Sequence, residues 1–120
     1  MKELVMIIRP EKLENLKLLL DKAGCGGMTI ASVMGCGVQK GFDNDEDAAT
    51  VNMIKGLKTN INLLPKIRVE VVVSDEIVEE IITEIREKIP TGHVGDGKIF
   101  IRPIDDAVRI RTGERGNKAL

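Results

Sequence analysis

Three glycines and a lysine fall within seven residues, as Gly92, Gly95, Gly97 and Lys98. Such a segment suits a backbone that curls around an anion. Glycine reaches positive φ without steric cost, so successive N–H groups converge on one point, and the lysine adds a mobile charge. Further on, Arg109 and Arg111 flank a single residue. In a strand, two such guanidinium groups share one face and clamp a polyphosphate. The chemistry implied is phosphate recognition, and the chain reads first as a nucleotide binder.

Rival chemistries fit less well. Gly92 to Lys98 matches the first seven positions of a nucleotide-binding P-loop, but Ile99 stands where Ser or Thr would bind magnesium. The loop also runs from a helix into a strand, the reverse of P-loop order. Asp43-Asn44-Asp45-Glu46-Asp47 opens like a calcium loop, yet Ala48 and Ile54 occupy the positions that need Gly and Glu. That run reads as a solvated acidic loop. His93, the only histidine, has no nucleophile or carboxylate partner assignable from sequence. The alternative function is a small enzyme hydrolysing a phosphoanhydride held by the glycine loop, and the missing base argues against it. The expectation is a non-enzyme.

Composition narrows the class. The chain has 120 residues, 42% of them hydrophobic and 31% charged, and a net charge of −1. One domain is expected, neither disordered nor electrostatically steered to nucleic acid. With two Phe and no Tyr or Trp, it lacks the stacking platforms of a single-strand binder. Cys25 and Cys36 have no metal-ligand spacing and read as free thiols. No apolar run approaches the roughly 20 residues of a membrane span, so a cytoplasmic protein without direct membrane insertion is expected.

The elements that must position these residues follow from periodicity. Lys2 to Ile8 reads as a buried strand, and Pro10 suits the first turn of a helix carrying Leu13, Leu16, Leu20 and Ala23, which Gly24 stops. Thr29 to Val38 returns to strand, and Gln39 to Asn62 reads as a long loop, usually a functional feature. Within it, Val51, Ile54 and Leu57 are spaced for one face of a short helix that could either fold back on its own domain or anchor in a partner's groove. Leu64 to Val73 is the strongest strand, with Val69, Val71 and Val73 on one face and Val72 on the other. Ser74 then suits an N-cap, and Ile77, Ile81, Ile85 and Ile89 form a stripe widened by Val78 and Ile82. Lys98 to Arg102 and a short extra strand at 108–111 complete the order. The fold class is α+β, a ferredoxin-like βαββαβ sandwich with an extra C-terminal strand. Its open sheet face calls for an oligomer.

Taken together, these residues resemble the PII signal-transduction family of nitrogen regulatory proteins. The resemblance is carried by Ile7-Ile8-Arg9-Pro10, Gly27-Met28-Thr29, Gly35-Cys36-Gly37-Val38-Gln39-Lys40-Gly41 and Leu64-Pro65-Lys66. It continues in Thr91-Gly92 with Gly95-Asp96-Gly97-Lys98-Ile99-Phe100, and in Arg109-Ile110-Arg111-Thr112-Gly113-Glu114. It implies one domain over 1–120, with a T-loop at about 38–65, a B-loop at about 90–98 and a C-terminal loop at about 109–120. It also implies a homotrimer in which ATP and ADP compete for clefts between subunits.

The nucleotide set so implied is Ile7, Thr29, Gly35, Gly37, Val38, Gln39, Val72, Gly95, Asp96, Gly97, Lys98, Phe100, Arg109 and Arg111. Gly35, Gly37, Gln39 and Val72 would border the nucleotide from one subunit, with Thr29 near the base. Gly95 to Lys98 would cradle phosphates, and the two arginines would reach across from a neighbour. Where such proteins sense 2-oxoglutarate beside Mg-ATP, the matching positions are Arg9, Gln39, Lys40, Gly41 and Lys66, with Gln39 at the magnesium. Val51, Ile54 and Leu57 would serve partner binding. The partner would be a membrane transporter such as an ammonium channel, which would place the protein at the membrane periphery, or an enzyme of nitrogen metabolism.

The chain also departs from the family pattern. Its loop is longer and carries no Tyr for nucleotidylation, and its serines, Ser32 and Ser74, lie outside the loop. Val38 and Pro90 stand where many members have Arg.

Overall fold

A computed structural model describes residues 1–37 and 63–120 in full, together with the backbone of two short strands at 53–54 and 57–58. The elements run β1 (Lys2–Ile8), α1 (Leu13–Lys22), β2 (Thr29–Cys36), β3 (Met53–Ile54), β4 (Leu57–Lys58), β5 (Leu63–Val73), α2 (Val78–Lys88) and β6 (Gly97–Pro103). Four strands form one antiparallel sheet in the order β2-β5-β1-β6. This is the ferredoxin-like arrangement: β1 and β5 lie in the centre, and each βαβ half sends its last strand to an edge.

The helices are made by burial more than by caps. Pro10–Lys12 is a 3-10 turn that leads into α1, where the missing proline N–H is harmless. Leu16, Leu19 and Leu20 of α1 and Val78, Ile81 and Ile85 of α2 are buried against Leu4, Met6, Ile8, Val69, Val71 and Val73. Each such side chain withdrawn from water contributes about 1.5–3 kcal/mol. The valine alternation on β5 falls as its period requires, with Val72 left half-buried on the far face. Gly24 ends α1 with φ of 84°. Ser74 makes no side-chain cap, and instead its carbonyl accepts a hydrogen bond from the Ile77 N–H at 3.3 Å, opening a 3-10 turn before α2.

Two expectations are corrected. The extra C-terminal strand at 108–111 reduces to a single bridge, Val108 to Arg115, because the chain reverses there. Gly113, at φ 75°, donates to the Arg109 carbonyl at 2.8 Å, and a turn that tight leaves no room for a ladder. The short helix expected through Ile54 and Leu57 is instead a ladder in which Ile54 faces Leu57 across β3 and β4. A glycine at position 56 is unfavourable in a helix interior. Val38, Gln39, Lys40, Gly41, Val51 and the acidic run at 43–47 lie outside the described residues.

The sheet face away from the helices is mixed rather than apolar. Arg68 Nε donates to Glu70 Oε1 at 2.6 Å, and Arg102 pairs with Glu3 across the strands. Phe100 stands among these charges, 52% exposed. Among the described residues no helix is long and apolar enough to cross a membrane.

Candidate nucleotide site

The loop from α2 to β6 is built on Asp96. Its carboxylate accepts hydrogen bonds from Thr91 N–H (2.9 Å), Gly92 N–H (3.0 Å), Thr91 Oγ1 (2.5 Å) and Arg9 Nε (3.0 Å). Burial works against the charged form. The Thr91 hydroxyl, Arg9 and the two backbone donors outweigh it and hold the carboxyl well below the usual carboxylate range. The Asp96 side chain thus closes the loop on itself, so any contact it makes with an anion comes through its backbone.

Positive φ is used where the loop turns: 87° at Gly92, 102° at Gly95 and 104° at Gly97. At Gly97 no other residue fits, since an added Cβ would stand 1.7 Å from the Ile7 carbonyl oxygen. That approach lets β6 enter the sheet with Gly97 opposite Ile8 and Lys98 opposite Ile7.

Two cations from the sheet hold the outer part of the loop. Arg9 Nη2 donates to the Val94 carbonyl at 2.9 Å, and Lys66 Nζ to the Gly95 carbonyl at 2.6 Å. Burial and the nearby Arg9 charge push the Lys66 ammonium pKa down, while Glu11 and Asp96 oppose the shift.

Beside this loop lies a cleft of about 390 Å³ lined by Ile7, Gly35, Gly37, Gly95, Gly97, Lys98 and Phe100, with Lys66 at its wall. Seven residues of the expected nucleotide set meet there. Sequence reasoning missed three further walls, Cys36, Leu64 and Val94. A Cβ at Gly37 would meet nothing within 4 Å, whereas one at Gly35 would press on Lys66 Cγ at 3.2 Å, so Gly35 leaves room for the lysine stem and Gly37 is open backbone.

Thr29 and Val72 do not line this cleft with Gly35 and Gly37. They line a second cleft of about 640 Å³ with Glu3, Gly27, Glu70 and Arg109. Glu3 of the second cleft and Ile7 of the first are four residues apart on β1, about 13 Å along the strand. Gly27 and Met28 belong to this cleft as well, and their place beside Thr29 in one motif was the signal available for them.

Arg109 is presented by the C-terminal turn rather than by a strand. Its Nη2 donates to the Leu120 backbone oxygen at 3.1 Å, and its Nη1 lies 3.6 Å from Glu114 Oε1. Asp106 anchors that turn, accepting from Arg115 Nε (2.8 Å), Ala107 N–H (2.8 Å) and Gly116 N–H (3.0 Å). These bonds, led by Arg115, hold its carboxyl below the usual range. Arg111 is exposed and does not line either cleft. Among the described residues no group of three His, Cys, Asp or Glu could hold a metal.

The family model described as nitrogen regulatory protein P-II matches residues 1–114. This chain belongs to the P-II family. It is 48% identical over 120 residues to nitrogen regulatory protein P-II 2 of Methanothermobacter thermautotrophicus, covering 100% of this chain and 97% of that one. Nitrogen regulatory protein P-II of Azospirillum brasilense is 39% identical, with full coverage of both chains. Among solved structures, a B. subtilis GlnK-ATP complex superposes with a TM-score of 0.75 at 33% identity, covering 99% of this chain and 96% of that one. As a P-II protein the chain is a signal-transduction regulator of nitrogen metabolism and not an enzyme.

Proposed function

We propose that this P-II protein senses adenine nucleotides as a homotrimer, each site being made from two neighbouring subunits. The observation that carries the reading is the division of the expected nucleotide set between two clefts of one chain. Gly95, Gly97 and Lys98 supply amides and a cation for the phosphates in one cleft, and Arg109 stands in the other with Thr29 and Val72. Symmetric packing of a second copy brings one subunit's first cleft against the next subunit's second. The GlnK relative solved with ATP supports the ligand class. ATP suits this chain because glycine backbone and Lys98 line the same cleft, and ADP would compete for the same cradle.

Gln39 would ligate magnesium, and Gln39, Lys40, Gly41 and Lys66 would receive 2-oxoglutarate, whose carboxylates suit a lysine beside a bound cation. Of these, Lys66 is at the cleft wall. Ligand there shifts the population of conformers of the segment joining Gly37 to Lys66. That segment, through Val51, Ile54 and Leu57, then engages or leaves a cytoplasmic target, a membrane ammonium transporter or a nitrogen-metabolism enzyme. Deleting residues 51–57 would abolish partner pull-down while leaving nucleotide affinity intact. Unchanged pull-down would refute the role of that segment. Calorimetry with ATP and ADP, each with and without magnesium and 2-oxoglutarate, tests the ligand assignment. The expected result is that both nucleotides bind and 2-oxoglutarate binds only with Mg-ATP.

A further inference from the structure

The rest of the chain holds the glycine loop by its carbonyls. Arg9 Nη2 takes the Val94 oxygen while Nε of the same guanidinium takes Asp96. No peptide bond here is cis. In a trans peptide the C=O and the following N–H point to opposite sides of one plane, and the Val94 carbonyl and Gly95 N–H share such a plane. Val94 and Gly95 line the first cleft and Arg9 does not. With the Val94 oxygen held by Arg9, the Gly95 N–H points to the other side of that peptide plane, away from the guanidinium.

We infer that Arg9 is a positioning residue for the anion-binding loop: clamped by Asp96, its guanidinium fixes the Val94–Gly95 peptide so that the Gly95 N–H is presented to a phosphate group. The inference rests on the nucleotide reading above. Arginine suits the task because its rigid fork serves two acceptors at once, whereas a lysine ammonium is a point charge that holds one or the other. The anchor is firm at both ends. Arg9 follows directly on a central strand with only 14% of its side chain exposed, and Asp96 is itself fixed by Thr91 and Gly92. Arg9 thus acts through the backbone it orients and need not touch the ligand.

The test uses the full-length protein as wild type, Arg9→Lys and Arg9→Met. ATP and adenosine are titrated by calorimetry, and hydrogen exchange across residues 92–98 is recorded with and without ATP. Expected are at least a tenfold loss of ATP affinity in Arg9→Met, an intermediate loss in Arg9→Lys, unchanged adenosine binding, and loss of ATP-induced protection in that segment. Should Arg9→Met fail to assemble, Arg9→Lys decides alone: weaker ATP binding with wild-type thermal unfolding supports the inference, and wild-type affinity overturns it. An equal loss for adenosine would also overturn it, making Arg9 merely structural. A wild-type protein that binds no ATP would bring down the nucleotide reading and this inference together. Wild-type binding with an unaffected Arg9→Met would bring down this inference alone.

Discussion

Replacing Gly97 with alanine separates two causes that the structure superimposes at that residue. The added Cβ meets the Ile7 carbonyl oxygen at 1.7 Å and its carbon at 2.8 Å, both backbone atoms of a central strand, with φ at 104°. The positive φ costs about 1–2 kcal/mol for a residue with a Cβ, and forcing β6 off β1 adds about 1–3 kcal/mol as overpacking. At about 2.1 cal/mol/K per residue, unfolding entropy near 0.25 kcal/mol/K turns that total into a fall of about 8–20 °C in Tm. Gly113→Ala is the control, since its φ is also positive (75°) but its Cβ meets nothing within 4 Å. It should lose only about 4–8 °C, from the same constants. Circular dichroism melts of the two variants and wild type at one protein concentration make the measurement. If Gly97→Ala melts no lower than Gly113→Ala, the close approach of β6 to Ile7 is not what demands glycine.

Other outcomes follow from the same geometry. Asp96 titrates lower when folded than the ordinary value near 3.9. Its contribution to stability is therefore complete above that value and lost as pH falls toward the folded pKa. The stability gap between wild type and Asp96→Asn in denaturant melts should shrink as pH drops from about 5 to about 2; a gap independent of pH would contradict the hydrogen-bond assignment. Ile81→Ala, at a fully buried site, should cost about 2–5 kcal/mol in urea titration. Arg109→Ala should weaken ATP binding by about ten- to a hundredfold, the worth of a hydrogen bond to charge, with Tm little changed because the residue is half-exposed.

Much of this was legible in the residues. Alternation at Val69, Val71 and Val73 and the four-residue step from Ile77 to Ile89 specify their faces directly, because strand and helix periods differ. The same logic failed at 108–111, where Arg109 and Arg111 mimic a strand while Gly113, four residues after Arg109, closes a turn. It failed also at Ile54 and Leu57, whose spacing of three fits a helix face but which pair across two short strands. In the site, the glycines and Lys98 announced the phosphate cradle. Asp96 read as one of its contacts because no local pattern shows that a carboxylate will turn back onto Thr91 and Arg9, residues 5 and 87 positions away. Nor does spacing reveal that Val72 and Gly35 fall in different clefts. That separation depends on strand register, which burial of one face determines only once all four strands are paired.

The shared site is tested most directly by mixing subunits. Lys98→Ala disables the first cleft and Arg109→Ala the second, so neither variant alone should bind ATP well. Unfolding the two together at equal amounts and refolding them gives mixed trimers in which intact halves meet at about one site in four. Native mass spectrometry and calorimetry should then find wild-type affinity at that fraction of sites. Recovery of none, with mixed trimers demonstrably present, would mean that each nucleotide is held within a single subunit.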